Sequence, residues 1–311
     1  MDRPNTTRLG LFLSRQALLE DPSEWLDQLR MMADGGLDHV GSADHVSFHT
    51  GWGIDGMMHA ATLAALEPRL DVAIGVYLLA LRHPVPVARQ IVTLAQALGP
   101  SRNFELGIGV GGEDRHEVEV CGVDPKTRGR RTDESLEIIR ALLMGEPIDH
   151  HGEFFQLEAA QIVPIPPASV RIVVGGRSPA GLRRAGLLGD GWLGIWTTPD
   201  QYAGRIASVI EAADGRVPAG GWQHGLQLWV GVGNTAEEAK PAVAQAMEDM
   251  YRVPFERFAK FTPCGPPDQI AAYLRGYIEA GCTSFNIAAY SASGSWADTV
   301  DAMSEVRRLL Q

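Results

Sequence analysis

The chain has 311 residues, 45% apolar and 21% charged, which is enough hydrophobic material for a large core and too little bias for a disordered chain. A formal net charge of −11 without any basic block sets nucleic acid and anionic membrane surfaces against it as partners. Three scattered cysteines (Cys121, Cys264, Cys282) form no CxxC pair or disulfide framework, the N-terminus lacks an apolar signal core, and no apolar run nears the ~20 residues of a membrane span, so a reduced, cytoplasmic protein is expected.

Strand-like runs, glycine-rich or polar turns and amphipathic runs alternate along the chain, the pattern of parallel strands with crossover helices. The first unit reads Arg8 to Ser14 as strand and Ser23 to Gly35 as helix, with Trp25, Leu26, Leu29 and Met32 at helical spacing. Strand two is His39 to Asp44, followed by a helix from Ile54 to Leu66; strand three is Leu70 to Leu78, followed by Pro86 to Leu98. Strand four, Phe104 to Val110, leads through a long loop to a helix from Asp133 to Met144. Residues Glu146 to Pro167 break the rhythm with a hairpin and a proline-rich exit, an insertion over a barrel mouth. Strands five (Arg171 to Val174) and six (Gly191 to Trp196) carry helices Pro179 to Leu188 and Pro199 to Ala213. Strand seven, Leu226 to Val232, precedes helix Thr235 to Tyr251, an irregular stretch Val253 to Pro267, and helix Pro267 to Ala280; strand eight is Ser284 to Ala289, with a last helix from Trp296 to Leu310. Eight such units, with no dividing linker or solenoid period, predict an α/β fold, a single (β/α)8 TIM barrel over residues 1–311 with insertions at 146–167 and 253–267 at its C-terminal rim.

Barrel chemistry concentrates at the C-terminal strand ends. Gly107 to Gly112 fits G-x-G-x-x-G, but no helix opens at once and no acidic strand end follows, so the glycines are read as letting strand four approach a flat ligand. Strand two ends in Asp44-His45, where the carboxylate can orient an imidazole that exchanges protons near neutral pH, or both can tie down the loop. Gly75 in strand three sits where a ligand-facing kink would fall. Gly175-Gly176-Arg177-Ser178-Pro179 combines a helix cap, free amides and an arginine, which makes either an anion site or an ordinary capped helix. His150 and His151 read as hairpin surface residues, and no metal site is expected. Of Trp192 and Trp196, one reads as core and the other as facing the pocket. The Arg128-Gly129-Arg130-Arg131 run reads as a solvated helix approach, or as attraction for an acidic substrate or cofactor tail.

Together these motifs resemble the luciferase-like family of flavin- and deazaflavin-dependent enzymes over nearly the whole chain. The carriers are Ser42-Ala43-Asp44-His45, Glu105 to Gly111, Arg128 to Glu134, Gly175 to Pro179 with Gly189-Asp190-Gly191-Trp192, and Gly265-Pro266-Pro267-Asp268. The resemblance implies a barrel with an isoalloxazine-type ring against strands two to four and its phosphate near the helix after strand five. It assigns His45, Asp44 and Glu113 to catalysis and Asp44, Gly75, Val76, Gly109, Gly111, Gly175, Gly176, Arg177 and Ser178 to the cofactor, and it places a non-proline cis peptide at Gly75-Val76. The Asp-His order favours hydride transfer with coenzyme F420, a deazaflavin, over an FMN monooxygenase fed by a separate reductase; a non-catalytic flavin-binding barrel is the third alternative. The chain departs from the sugar-phosphate dehydrogenase branch after His45, in Val46 to Trp52, and in the two glycines before Glu113. Trp52 and Trp196 are expected over a small-molecule substrate, whose choice would lie with loops 46–53, 146–167 and 253–267. A homodimer is expected.

Overall fold

The computed structural model describes residues 7–13, 22–49, 51–167 and 170–311. Ser14, the expected end of strand one, and Thr50 in the loop after strand two lie outside the described residues. Eight parallel strands close on themselves: β1 Arg8–Phe12, β2 His39–Ser42, β3 Asp71–Leu78, β4 Phe104–Gly109, β5 Val170–Gly175, β6 Gly191–Ile195, β7 Gly225–Val232 and β8 Ser284–Ser291. Each pairs in parallel with the next, and β8 returns to β1. The fold is a (β/α)8 barrel.

The helices in chain order are α1 Pro22–Asp34, α2 Gly56–Leu66, α3 Pro84–Leu98, α4 Arg115–Val120, α5 Arg128–Leu142, α6 Pro179–Leu188, α7 Pro199–Ala212, α8 Ala236–Tyr251, α9 Pro267–Glu279 and α10 Trp296–Leu309. Their starts are specified locally. Asp55, Ser178 and Thr198 accept from first-turn amides of α2, α6 and α7, and Pro179 and Pro199 begin the last two where a missing N–H costs nothing. At the N-terminal end of the barrel, His39 Nε2 meets Asn286 Oδ1 at 2.6 Å, and Asn286 Nδ2 donates to Glu105 Oε1 at 3.1 Å. Gly10 makes room for this layer, since a Cβ there would fall 2.3 Å from the His39 ring.

Besides shifts of one or two residues at element ends, three departures from the sequence reading bear on the site. The barrel part of strand two stops at Ser42, because His45–Phe48 turns away and pairs antiparallel with Trp52–Ile54. α5 begins at Arg128 rather than Asp133: Arg131 Nε donates to Ala80 O at 2.9 Å and Arg128 Nε to Gly111 O at 3.2 Å, so these arginines clamp neighbouring backbone instead of awaiting a ligand. Most consequential, α8 is not the barrel helix of unit seven. It packs on the rim ends of β7 and β8, while α9 occupies the outer ring between α7 and α10. The chain then rejoins β7 through Cys264–Gly265, which pairs with Gly231 and Val232. The rim excursion is therefore longer than 253–267 and includes α8.

The other insertion forms the hairpin Ile148–His151 with Gln156–Ala160. It lies against the first turns of α3 and α5. Phe154 and Phe155 amides donate to Glu134, His150 Nε2 sits 3.1 Å from the same carboxylate, and the Phe155 ring meets Arg131 and His83.

Candidate active site

The C-terminal strand ends enclose a cavity of about 530 Å³ whose lining includes Asp44, His45, Trp52, Gly75, Val76, Gly109, Gly111, Glu113, Gly175, Gly176, Arg177, Ser178 and Trp196. Every expected site residue is thus brought to one rim. No residue of the 146–167 hairpin lines it, which corrects the expectation that this insertion covers the mouth and helps choose the substrate.

Asp44 is fully buried and saturated. Oδ1 accepts from Gly56 N (2.9 Å) and Arg82 Nη2 (2.8 Å), and Oδ2 from Leu78 N and Arg82 Nη1 (both 2.8 Å). Four donors on two oxygens are what an ionised carboxylate satisfies, and they leave nothing for a substrate. The expectation that Asp44 is catalytic or orients His45 is corrected: it ties β2 to the end of β3 and the start of α2.

His45 instead meets Glu117, a buried carboxylate on α4, with Nδ1 3.1 Å from Oε2. Glu117 Oε1 accepts from Val46 N at 2.7 Å and Ser47 N at 3.1 Å. Burial pushes the Glu117 carboxyl up, but the His45 ring and these two amides outweigh it and hold it below the usual glutamate range. The ring of His45 stacks on Phe48 at 4.1 Å and stands 5.9 Å from Trp52. Nearby, His59 of α2 also lines the cavity; burial lowers its pKa to about 4, so it is neutral, with Nδ1 2.9 Å from Ser42 Oγ.

Across from His45 the wall is nearly free of side chains. The peptide Gly75-Val76 is cis. A Cβ on Gly75 would lie 2.6 Å from Gln227 Oε1, and one on Gly109 would lie 2.3 Å from Val76 Cγ2. Gly109 of β4 therefore makes room for the Val76 side chain of β3, as Gly75 does for Gln227 of β7, and both glycines line the cavity through their backbone. Gly176, at φ +116°, turns the chain from β5 toward α6, where Ser178 caps Gly181 N and Arg177 stands exposed over the Trp196 ring at 5.3 Å. Pro179 has no N–H and Gly181 N is already capped by Ser178, so what this helix start turns toward the rim is chiefly the exposed Arg177 guanidinium. Trp192 is the core tryptophan, fully buried with Nε1 donating to Gly176 O at 2.7 Å.

Glu113 is exposed on the lip. Sequence reasoning missed Glu117, Arg82, Gln227, Trp229 and Tyr251. A signal existed for two: Asp114-Arg115-His116-Glu117 has the spacing of a helix start, and Gln227 is a polar residue within an otherwise apolar strand.

The luciferase-like monooxygenase family model matches residues 6–254, and the chain belongs to this family. An uncharacterized protein of Mycobacterium tuberculosis is 36% identical over 157 residues, 50% of this chain and 53% of that protein, so the match spans about half the length of that relative. The F420-dependent glucose-6-phosphate dehydrogenase of Kineococcus radiotolerans is 28% identical over 296 residues, covering 84% of this chain and 86% of the enzyme. Two solved structures share the fold. An F420-dependent secondary alcohol dehydrogenase holding an F420-acetone adduct superposes with a TM-score of 0.83 at 20% identity, over 98% of this chain and 99% of that one. The FMN-bound oxygenating constituent of 3,6-diketocamphane monooxygenase from Pseudomonas putida gives 0.75 at 19% identity, over 97% of both. Among the described residues, no helix is long and apolar enough to cross a membrane.

Proposed function

We propose that the chain is a deazaflavin-dependent oxidoreductase that uses coenzyme F420 to exchange a hydride with a small organic substrate, with His45 carrying the accompanying proton. The observation that carries this reading is the Glu117–His45 pair at the cavity wall. An ionised Glu117 accepts the Nδ1 proton of His45, which leaves Nε2 as the ring nitrogen that exchanges a proton with a ligand. That nitrogen takes a proton from a substrate hydroxyl in the oxidative direction and returns it in the reductive one. Glu113, on the lip, is the second acid-base group.

The residues fit the coenzyme. A cavity of about 530 Å³ lies within the usual range for cofactor sites. Gly75, Val76 and Gly109 line the side of the cavity against which a tricyclic ring would lie, and Gly176, Arg177 and Ser178 would hold its phosphate. When bound, the coenzyme supplies two-electron redox chemistry as a hydride donor or acceptor. Dehydrogenases and monooxygenases among the relatives support an oxidoreductase.

Titrating purified apoprotein with coenzyme F420 and with FMN tests the proposal. Micromolar or tighter binding of F420, with FMN much weaker, is expected. Tight FMN binding, together with reductase-dependent oxygen consumption, would replace it with a two-component monooxygenase.

A further inference from the structure

A second space of about 350 Å³ adjoins the cavity and shares with it Phe48, His49, Glu113, Arg177, Trp196 and Tyr251. Its remaining walls, including Arg257 and Phe258, come from the rim excursion. Ring faces dominate it: Trp196 meets Tyr251 edge-on at 5.1 Å and lies against Phe258 at 5.1 Å. Such surfaces favour a flat, polarisable occupant over a flexible aliphatic one.

The polar groups around this space are mostly donors. The Trp196 indole N–H is buried without an acceptor among the described residues. His49 is not free, because its backbone N–H donates to Asp114 at 2.6 Å and its ring stands 3.8 Å from the same carboxylate. Of the two arginines, Arg177 is assigned above to the coenzyme phosphate. Arg257 is then the remaining cation of this chamber, exposed and without an ion pair among the described residues. A guanidinium at a pocket wall that no carboxylate of the described residues neutralises is free to take an acidic ligand group through two parallel N–H donors.

We infer that this chamber takes a planar, ring-containing substrate bearing a carboxylate, with the ring lying on the aromatic wall that Trp196, Tyr251 and Phe258 build together and the carboxylate on Arg257. Glu113, on the lip shared with the main cavity, repels the carboxylate and so turns the uncharged end of the molecule toward His45. The inference rests on the functional reading above for what then happens to the substrate, but the binding itself does not require turnover.

The test uses 2-naphthoate and its neutral counterpart 2-naphthamide, titrated by calorimetry and tryptophan fluorescence into the protein with and without coenzyme. Naphthoate is expected to bind about tenfold or more tighter than naphthamide, the effect of a charge-assisted hydrogen bond. Arg257→Gln should erase that preference while leaving naphthamide affinity within about twofold, since a truncated surface arginine leaves the ring site intact. Equal affinities in the parent protein, no binding of either probe, or a preference that survives Arg257→Gln would each overturn the inference. Because the probes are also read on coenzyme-free protein, failure of coenzyme to bind sinks the functional reading separately.

Discussion

On the floor of the cavity, Asp44 and Glu117 between them collect six backbone and arginine N–H donors and the His45 ring. On its roof, Trp229, Val243, Met247, Phe255 and Phe258 form a small core separate from that of the barrel, with Trp196 and Tyr251 packed against it. Directional bonds fix atoms to within tenths of an ångström, which proton transfer requires. Ring packing is less demanding of particular partners and tolerates exchange of one apolar group for another of similar volume. The floor is thus held by directional bonds and the roof by ring packing, which under the proposed function divides proton transfer from substrate choice.

Substitutions can break this division. Removal of the His45 imidazole (His45→Ala) should lower turnover about 10²- to 10⁴-fold at saturating coenzyme, with melting temperature nearly unchanged. Turnover near that of the parent would make His45 part of the scaffold instead. Asp44→Asn removes the buried partner of the half-buried Arg82 and leaves it only the exposed Asp55 at 3.3 Å, and urea unfolding should show a loss of about 2–3 kcal/mol; a loss below about 1 kcal/mol, the value of an exposed pair, would mean the ion pair is not the tie described.

Arg177→Ala should weaken coenzyme binding by about 1.5–3 kcal/mol, measured by the same titration that distinguishes F420 from FMN. Unchanged affinity would move the phosphate elsewhere on the rim. At Glu117 the test is the pH dependence of stability. Its carboxyl is held below the ordinary range in the folded protein, so its contribution is present above the unfolded pKa and is lost as pH falls through the folded one. Glu117→Gln should cost about 1 kcal/mol at neutral pH and shrink toward nothing in acid, because Gln keeps the acceptor for the two loop amides. A cost that does not vary with pH would show that its charge is not used. The smallest effect belongs to the roof: Phe258→Leu should cost under about 1.5 kcal/mol and raise KM without lowering kcat. A fall in kcat would show that the roof shares in positioning the reacting atoms.

The eight strands were legible because each is a short apolar run bounded by turn residues, and His45, Gly75 and Arg177 were legible because strand ends carry the chemistry of this architecture. Asp44 misled because adjacency in sequence is not adjacency of side chains: the chain turns between the strand ending at Ser42 and the one starting at His45, and Asp44 turns inward to Arg82 while His45 turns to α4. Glu117 was hidden by distance, since its partners are 70 to 72 residues away and nothing local announces them. α8 has the caps and periodicity of any barrel helix, and only the return of the chain to β7 reveals that it belongs to the rim.

That return has a consequence for how such proteins diverge. The excursion leaves at Val232 and comes back at Gly265, which pairs with Val232 itself, and Gly233 N donates to Gly265 O at 3.2 Å. Departure and re-entry are therefore neighbours across one hydrogen-bonded step, about 4.8 Å apart. A segment whose two ends meet in this way is a cassette: it can be lengthened, shortened or exchanged for another without disturbing the barrel beneath, so the lining of the rim can change while the Asp44–Arg82 and Glu117–His45 contacts are inherited intact.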